Sequence, residues 1–298
     1  MTSGESSTQT MPGTGRPSVR STINFAQQAD RSSASVFDMN TWQWTNMSLR
    51  GVDVPVFDAR PINDELDLDV DGYRVFSHTS SVADSLDLAE LDRDYHVQVG
   101  AFIKELTGAR DVMPARDGLV VRHGERSGIH TGPRTDGNGE RRLVQQPARF
   151  AHLDYTASSA EVFMGRVLAA EQREVAPYSR FAVFQTWRAT SAPPQDNLLA
   201  VANGTTVDPD DVITFTTRMG DTAVGMPEVQ ARVVEHNPSQ QWNYFSGMTI
   251  DEILVFKGWD SDSSRCGGLA HTAVDDPSAP EDAMPRSSVE ARFFAFFE

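Results

Sequence analysis

One cysteine stands in 298 residues, Cys266, so no internal disulfide can form. A reducing, cytoplasmic compartment is the expectation that follows. No run of ~18 apolar residues occurs, the length a helix needs to cross a bilayer, and a membrane is therefore not an expected partner. Residues 1–20 hold Ser, Thr, Gly and Pro without an apolar stretch. They lack the hydrophobic region of a secretion signal, and residues 1–21 read as a disordered tail. Basic residues are scarce as well: 26 Lys and Arg against 42 Asp and Glu leave a formal charge of -16. That balance argues against nucleic acid and anionic lipid as partners. Internal repeats are absent. The apolar fraction, 39%, is low but sufficient for a core.

What is present is organised by period. Residues 51–58 alternate apolar and polar, as a strand does. Leu88, Leu91, Tyr95, Val99, Phe102 and Leu106 recur at three- and four-residue steps, one buried helix face ended by Gly108. Residues 122–149 hold six arginines (122, 126, 134, 141, 142 and 149) among Gly, Pro, Asn and Thr. They read as a long mobile loop able to close over a site, its arginines, Arg122 first, drawing in an anionic substrate or co-substrate. Residues 148–156 read as a strand, and Ser158 with Glu161 as a capping box for a helix over 160–175. Further strands are predicted over 181–187, 212–217, 229–235, 253–257, 269–274 and 288–297, with Pro193-Pro194 as a break. Short strands dominate the second half. The expected fold class is mainly β with bracing helices, a β-sandwich or jelly-roll barrel.

Three well-separated residues carry the chemistry. His152 and Asp154 stand at i and i+2, so in an extended strand both face one side. His271 lies 117 residues later in the strand-like run Leu-Ala-His-Thr-Ala-Val. Two imidazoles and one carboxylate on one face of a divalent iron leave the opposite positions open. Arg286 and Ser288 again stand at i and i+2, after the turn-like stretch 275–285. A guanidinium grips a carboxylate in bidentate fashion and a serine adds a hydrogen bond, which suits a keto-acid co-substrate beside that metal. Arg292 continues the same face, ~20 Å further along a strand, so Arg286 is the preferred anchor.

Several other residues have a structural alternative to a functional role. Trp187 and Arg188 are candidate substrate contacts, with a core Trp and a surface Arg as the alternative. Trp242, Tyr244 and Phe245 read as core, Tyr155 as packing, and His236 as a turn residue. His78, His96, His123 and His130 share no ligand spacing. The pair Asp260 and Asp262 lacks a histidine partner and belongs to a loop, and Cys266 has no evident activating group.

Eleven segments then add up to a likeness. They are 56–60, 95–112, 152–156, 186–188, 193–200, 241–248, 251–252, 256–257, 259–261, 271–273 and 286–292. Together they resemble the hydroxylase/desaturase family of non-haem Fe(II)/2-oxoglutarate-dependent oxygenases, which includes a gibberellin desaturase and a cephamycin 7α-hydroxylase component. The resemblance implies a double-stranded β-helix (cupin-like jelly-roll) core and a single oxygenase domain over 22–298. It implies iron at His152, Asp154 and His271, 2-oxoglutarate at Arg286 and Ser288, and dioxygen as co-substrate. Gln185 stands where the family has Asn, and is a further candidate contact to the co-substrate; Ala270 stands where proline is expected. The expected activity is hydroxylation, desaturation or ring formation at an unactivated C–H site of a small specialised metabolite. The alternative carried is a metal-binding accessory subunit serving a partner enzyme of the same pathway, and a weaker one is a zinc or nickel enzyme of the wider barrel class.

Overall fold

The computed structural model describes residues 9–10, 15–38, 43–85, 87–127, 132–135, 141–218 and 228–298. Its logic is visible in the last strand, Ser287–Phe297. That strand is apolar at Val289, Ala291, Phe293 and Ala295 and polar at Ser288, Glu290 and Arg292. Alternate residues face opposite ways, so its two faces need two different covers. The apolar face packs under a helical run made of Leu88–Glu90, a π turn Leu91–Tyr95, and His96–Thr107. Leu91, Tyr95, Val99 and Ile103 form the buried stripe of that run, against Ala182, Phe184, Ile253 and Val255. Gly108 ends it with φ 67°, a left-handed conformation that a side chain would strain.

The polar face looks across at a second sheet. Among the described residues, eight strands form the smaller sheet and eleven the larger. In the smaller, Arg180–Ala189 lies between Glu252–Asp260 and the last strand, antiparallel to both. In the larger, His271–Asp275 lies between Asn197–Ala202 and the short strand His152–Leu153. Side chains of both sheets meet in one cluster: Trp187, Leu254 and Phe256 from one, Leu199 and Val201 from the other. At the opposite end, Tyr155 and the helix Ala157–Ala170 pack on Val183, Phe294 and Phe296. Two sheets face to face, braced by helices, are the jelly-roll architecture expected for a double-stranded β-helix.

The larger sheet buries its outer face under its own N-terminal hairpin. Pro17–Gln28 pairs with Met47–Asp58 along eleven residues. Ile23, Phe25, Val54 and Val56 of the hairpin pack on Leu153, Leu198, Ala200 and Val274. The strand therefore begins at Pro17, inside the stretch expected as a tail, because Val19 and Ile23 have a buried face to fill; residues 1–8 and 11–14 lie outside the described residues.

Two further expectations change in detail. Residues 122–149 are not one loop. Val120–His123 pairs parallel with Arg141–Gln145, which pairs with Gly132–Thr135, and Glu125–Ser127 is a short 3-10 turn. The polar content hid these edge strands, whose alternation is too short to register. His130 and the side chains of Leu88, Arg134, Arg141 and Arg142 lie outside the described residues. The second helix starts at Ala157, not 160, because Thr156 is its cap: Thr156 Oγ1 accepts from Ser159 N at 3.1 Å while Ser159 Oγ accepts from Thr156 N at 2.8 Å. A serine hydroxyl does at the third helical position what a Glu was expected to do at Glu161.

Candidate active site

His152 and His271 are direct neighbours across two antiparallel strands. Their rings stand 4.2 Å apart between centroids. Asp154 sits in the bend just after its strand, with Oδ1 3.5 Å from His152 Nε2. One ligand atom from each of the three residues lies within 4.8 Å of the others. The second nitrogen of each ring is already engaged: Nδ1 of His152 donates to Phe150 O at 2.8 Å, and Nδ1 of His271 to Leu269 O at 3.1 Å. A carbonyl only accepts, so each Nδ1 carries the hydrogen and each Nε2 offers a lone pair. That is how proteins fix the tautomer and aim of a metal-binding imidazole.

The electrostatics favour this donor set. Burial pushes the His152 imidazole down to about 4, with His271 adding to the effect and Asp154 opposing it, so the ring is neutral at pH 7. Burial alone would raise the Asp154 carboxyl, but Arg292, then the two histidines, outweigh it and hold it well below the usual carboxylate range. Imidazole lone pairs with one carboxylate are the donors an iron(II) site needs.

Across the gap, the polar face of the last strand presents Arg286, Ser288, Glu290 and Arg292. Arg286 is 1% exposed and Ser288 fully buried. Arg286 lies with its guanidinium carbon 5.0 Å from the Trp187 ring centre and donates to Asn197 Oδ1 at 3.0 Å and Leu198 O at 3.3 Å. Its backbone N–H is held by Asp196 Oδ1 at 2.8 Å. The Pro-Pro-Gln-Asp-Asn segment is thus the cradle of this arginine. The carboxylate oxygen nearest its guanidinium, on Glu290, is 4.0 Å away, and its Nε has no partner. Burial pushes the guanidinium down to about 9, Glu290 only partly offsetting it. A buried cation without a close counter-ion is costly unless an anion joins it.

Two neighbours share that incompleteness. Gln185 Nε2 and Trp187 Nε1 are buried donors without a hydrogen-bond partner. Gln185 and Trp187 stand opposite Arg292 and Glu290 in the register, hence on the same inner face. Buried donors normally find acceptors, so three orphans on one inner face fit an oxygen-rich ligand. The structure thus brings together His152, Asp154, His271, Arg286, Ser288, Gln185 and Trp187. Arg122 joins the row, but as a partner of Glu290: its Nε donates to Glu290 Oε1 at 2.5 Å and its Nη1 to Gln146 O at 2.8 Å.

Arg188 is not brought into the row. Next to Trp187, it points to the outer face, where it is fully buried and bonds His78 O at 2.6 Å, Ile250 O and the Tyr95 hydroxyl at 3.2 Å. Strand alternation, which put Trp187 inside, carried this signal. Arg292 is the residue the spacing argument placed wrongly. It meets Asp154, with Nη2 at 2.6 Å and Nε at 3.1 Å from Oδ2. Its distance from Arg286 along the strand was right, but the facing sheet decides which end of the strand meets the metal ligands. Of the loop arginines, Arg126 pairs with Asp196 and Arg149 with Asp275.

Known proteins share this arrangement of chain. A family described as "Oxidoreductase/YMDC permease-like domain" matches residues 23–296; among the described residues no helix is long and apolar enough to cross a membrane. The Fe(II)/2-oxoglutarate-dependent dioxygenase NvfI of Aspergillus novofumigatus is 30% identical over 263 residues, 86% of this chain and 85% of that protein. The hydroxylase/desaturase EfuI of Hormonema carpetanum is 25% identical over 290 residues, covering 95% and 96%. A solved structure of the iron and α-ketoglutarate-dependent endoperoxidase NvfI superposes with a TM-score of 0.75 at 26% identity, over 94% of this chain and 98% of that one.

Proposed function

The chain belongs to the Fe(II)/2-oxoglutarate-dependent dioxygenases, and from that premise we propose that His152, Asp154 and His271 hold its iron while Arg286 and Ser288 hold the far carboxylate of 2-oxoglutarate. The observation that carries the assignment is the pair of imidazoles aimed by their Nδ1 bonds, beside a carboxylate, with an under-paired buried arginine on the facing sheet. Iron(II) with 2-oxoglutarate and dioxygen supplies the oxidation of an unactivated C–H bond, 2-oxoglutarate leaving as succinate and carbon dioxide. The chain supplies aim and charge. Arg286 and Ser288 would bind the carboxylate, and the unpartnered Gln185 amide and Trp187 indole N–H would donate to the co-substrate.

The substrate is a small specialised metabolite. We infer an apolar one, because the ring of Phe256 stands 5.0 Å from that of His271. Hydroxylation is the outcome we assign by default. Residues 22–298 act as one catalytic unit in this reading, since both sheets contribute to the site, and a reducing, cytoplasmic setting suits a single half-buried Cys266. The accessory-subunit alternative has no support, because NvfI and EfuI are enzymes by name and Arg286 and Ser288 are present. Purified protein given iron(II), 2-oxoglutarate and oxygen should form succinate without a partner protein. His152→Ala should abolish both iron binding and that turnover; substantial keto-acid turnover in metal-free His152→Ala protein would end the assignment.

A further inference from the structure

Resting on that iron-site reading, we propose that Arg292 is a positioning residue that confines Asp154 to binding the metal through one oxygen. The two oxygens of Asp154 have separate tasks. Oδ1 is turned toward His152 Nε2, 3.5 Å away, on the side of the ligand cluster. Oδ2 receives two guanidinium hydrogen bonds, from Nη2 at 2.6 Å and Nε at 3.1 Å. A planar fork that delivers two bonds to one oxygen fixes the torsion of the carboxylate as well as its charge.

Arg292 is itself held on every side. Its Nη1 donates to Gly118 O at 2.8 Å, and its Nε also reaches Gln185 Oε1 at 3.0 Å. Gly118 leaves room for the side chain: a Cβ there would stand 3.2 Å from Arg292 Cδ. One cation therefore locks an iron ligand and turns the Gln185 amide so that its NH2 group faces away from the guanidinium. Freed from this clamp, a carboxylate can rotate and offer both oxygens to a metal, taking a position the keto acid requires.

The test separates metal from co-substrate. Arg292→Gln and Arg292→Lys would be compared with the native enzyme for iron(II) affinity, for anaerobic 2-oxoglutarate binding read from the visible charge-transfer band, and for KM. The clamp predicts opposite signs in Arg292→Gln: iron affinity equal to or above native, and 2-oxoglutarate binding weakened at least tenfold. Arg292→Lys, which keeps the charge but loses the fork, should fall between. A merely structural role would weaken both ligands together, and that result, or native binding of both in folded Arg292→Gln and Arg292→Lys, overturns the proposal. Should Arg292→Gln fail to fold, Arg292→Lys carries the same split. His152→Ala run in parallel keeps the two ideas apart: if it still binds iron the site assignment fails, whereas if it loses iron and the Arg292 variants behave as native, only the clamp fails.

Discussion

The two faces of the strand Arg180–Ala189 each bury an arginine environment, and they differ in one respect. On the outer face, Arg188 has every nitrogen engaged: Nε with Tyr95, Nη1 with two carbonyls, Nη2 with His78. On the inner face, the Arg286 guanidinium is as deeply buried but keeps a bare Nε and makes bonds of 3.0 Å and longer. Burial alone does not distinguish a structural arginine from a binding one. Satisfaction does, because an unmade buried hydrogen bond costs stability that only a ligand can restore.

The sharpest way to break this comparison is on the inner face. Arg286→Gln should lower kcat/KM for 2-oxoglutarate by roughly 100- to 1000-fold, the loss of a charge-assisted carboxylate pair of about 3–4 kcal/mol. Its unfolding free energy in urea should stay within about 1 kcal/mol of native, or rise, because an under-paired buried charge is removed. An Arg286→Gln protein with native KM would refute the distinction.

The outer face should respond the other way. Arg188→Met leaves the carbonyls of His78 and Ile250 without a donor and should cost about 3 kcal/mol of stability, read as a lower urea midpoint. In the folded fraction the KM for 2-oxoglutarate should remain native. A raised KM would instead mean that Arg188 communicates with the inner row.

The most gradual effect concerns pH. The His152 value of about 4 in the folded chain lies below the 6.5 of an unperturbed histidine, so between those pH values the unfolded chain holds a proton that the folded chain does not. Stability of the metal-free protein should therefore fall as pH drops from 6.5 to 4, by at most about 1.4 kcal/mol per pH unit for this site, and level off below. His152→Gln should remove that part of the slope. On the outer face, His78 is also held down, by burial and then by the Arg188 charge, and should keep its own share.

Several elements were legible because their periods are long. The expected stripe of Leu91, Tyr95 and Val99 is buried, although Ile103 rather than Phe102 continues it, and the last strand alternates from Ser288 to Phe293. Some short elements, such as Trp242–Tyr244 and Val120–His123, have too few positions to show a period and are not legible in the sequence. The metal pair was found through its i, i+2 spacing, although only His152 lies in a strand and Asp154 follows in a bend. The neighbourhood of Arg286 was noticed as a motif, but nothing local says that Asp196 and Asn197 hold a residue 90 positions away.

Residue type and spacing, by themselves, determined which donors this chain owns: two imidazoles, a carboxylate, and a guanidinium with a hydroxyl two residues on. They also determined which face of each strand those groups occupy, since alternation is a local property of the backbone. Only the tertiary structure decided that Arg292 meets Asp154, that Arg122 meets Glu290, and that Arg188 is satisfied while Arg286 is not. Those outcomes depend on how two sheets lie across from each other, and contact between facing sheets is fixed by the packing of residues far apart in sequence.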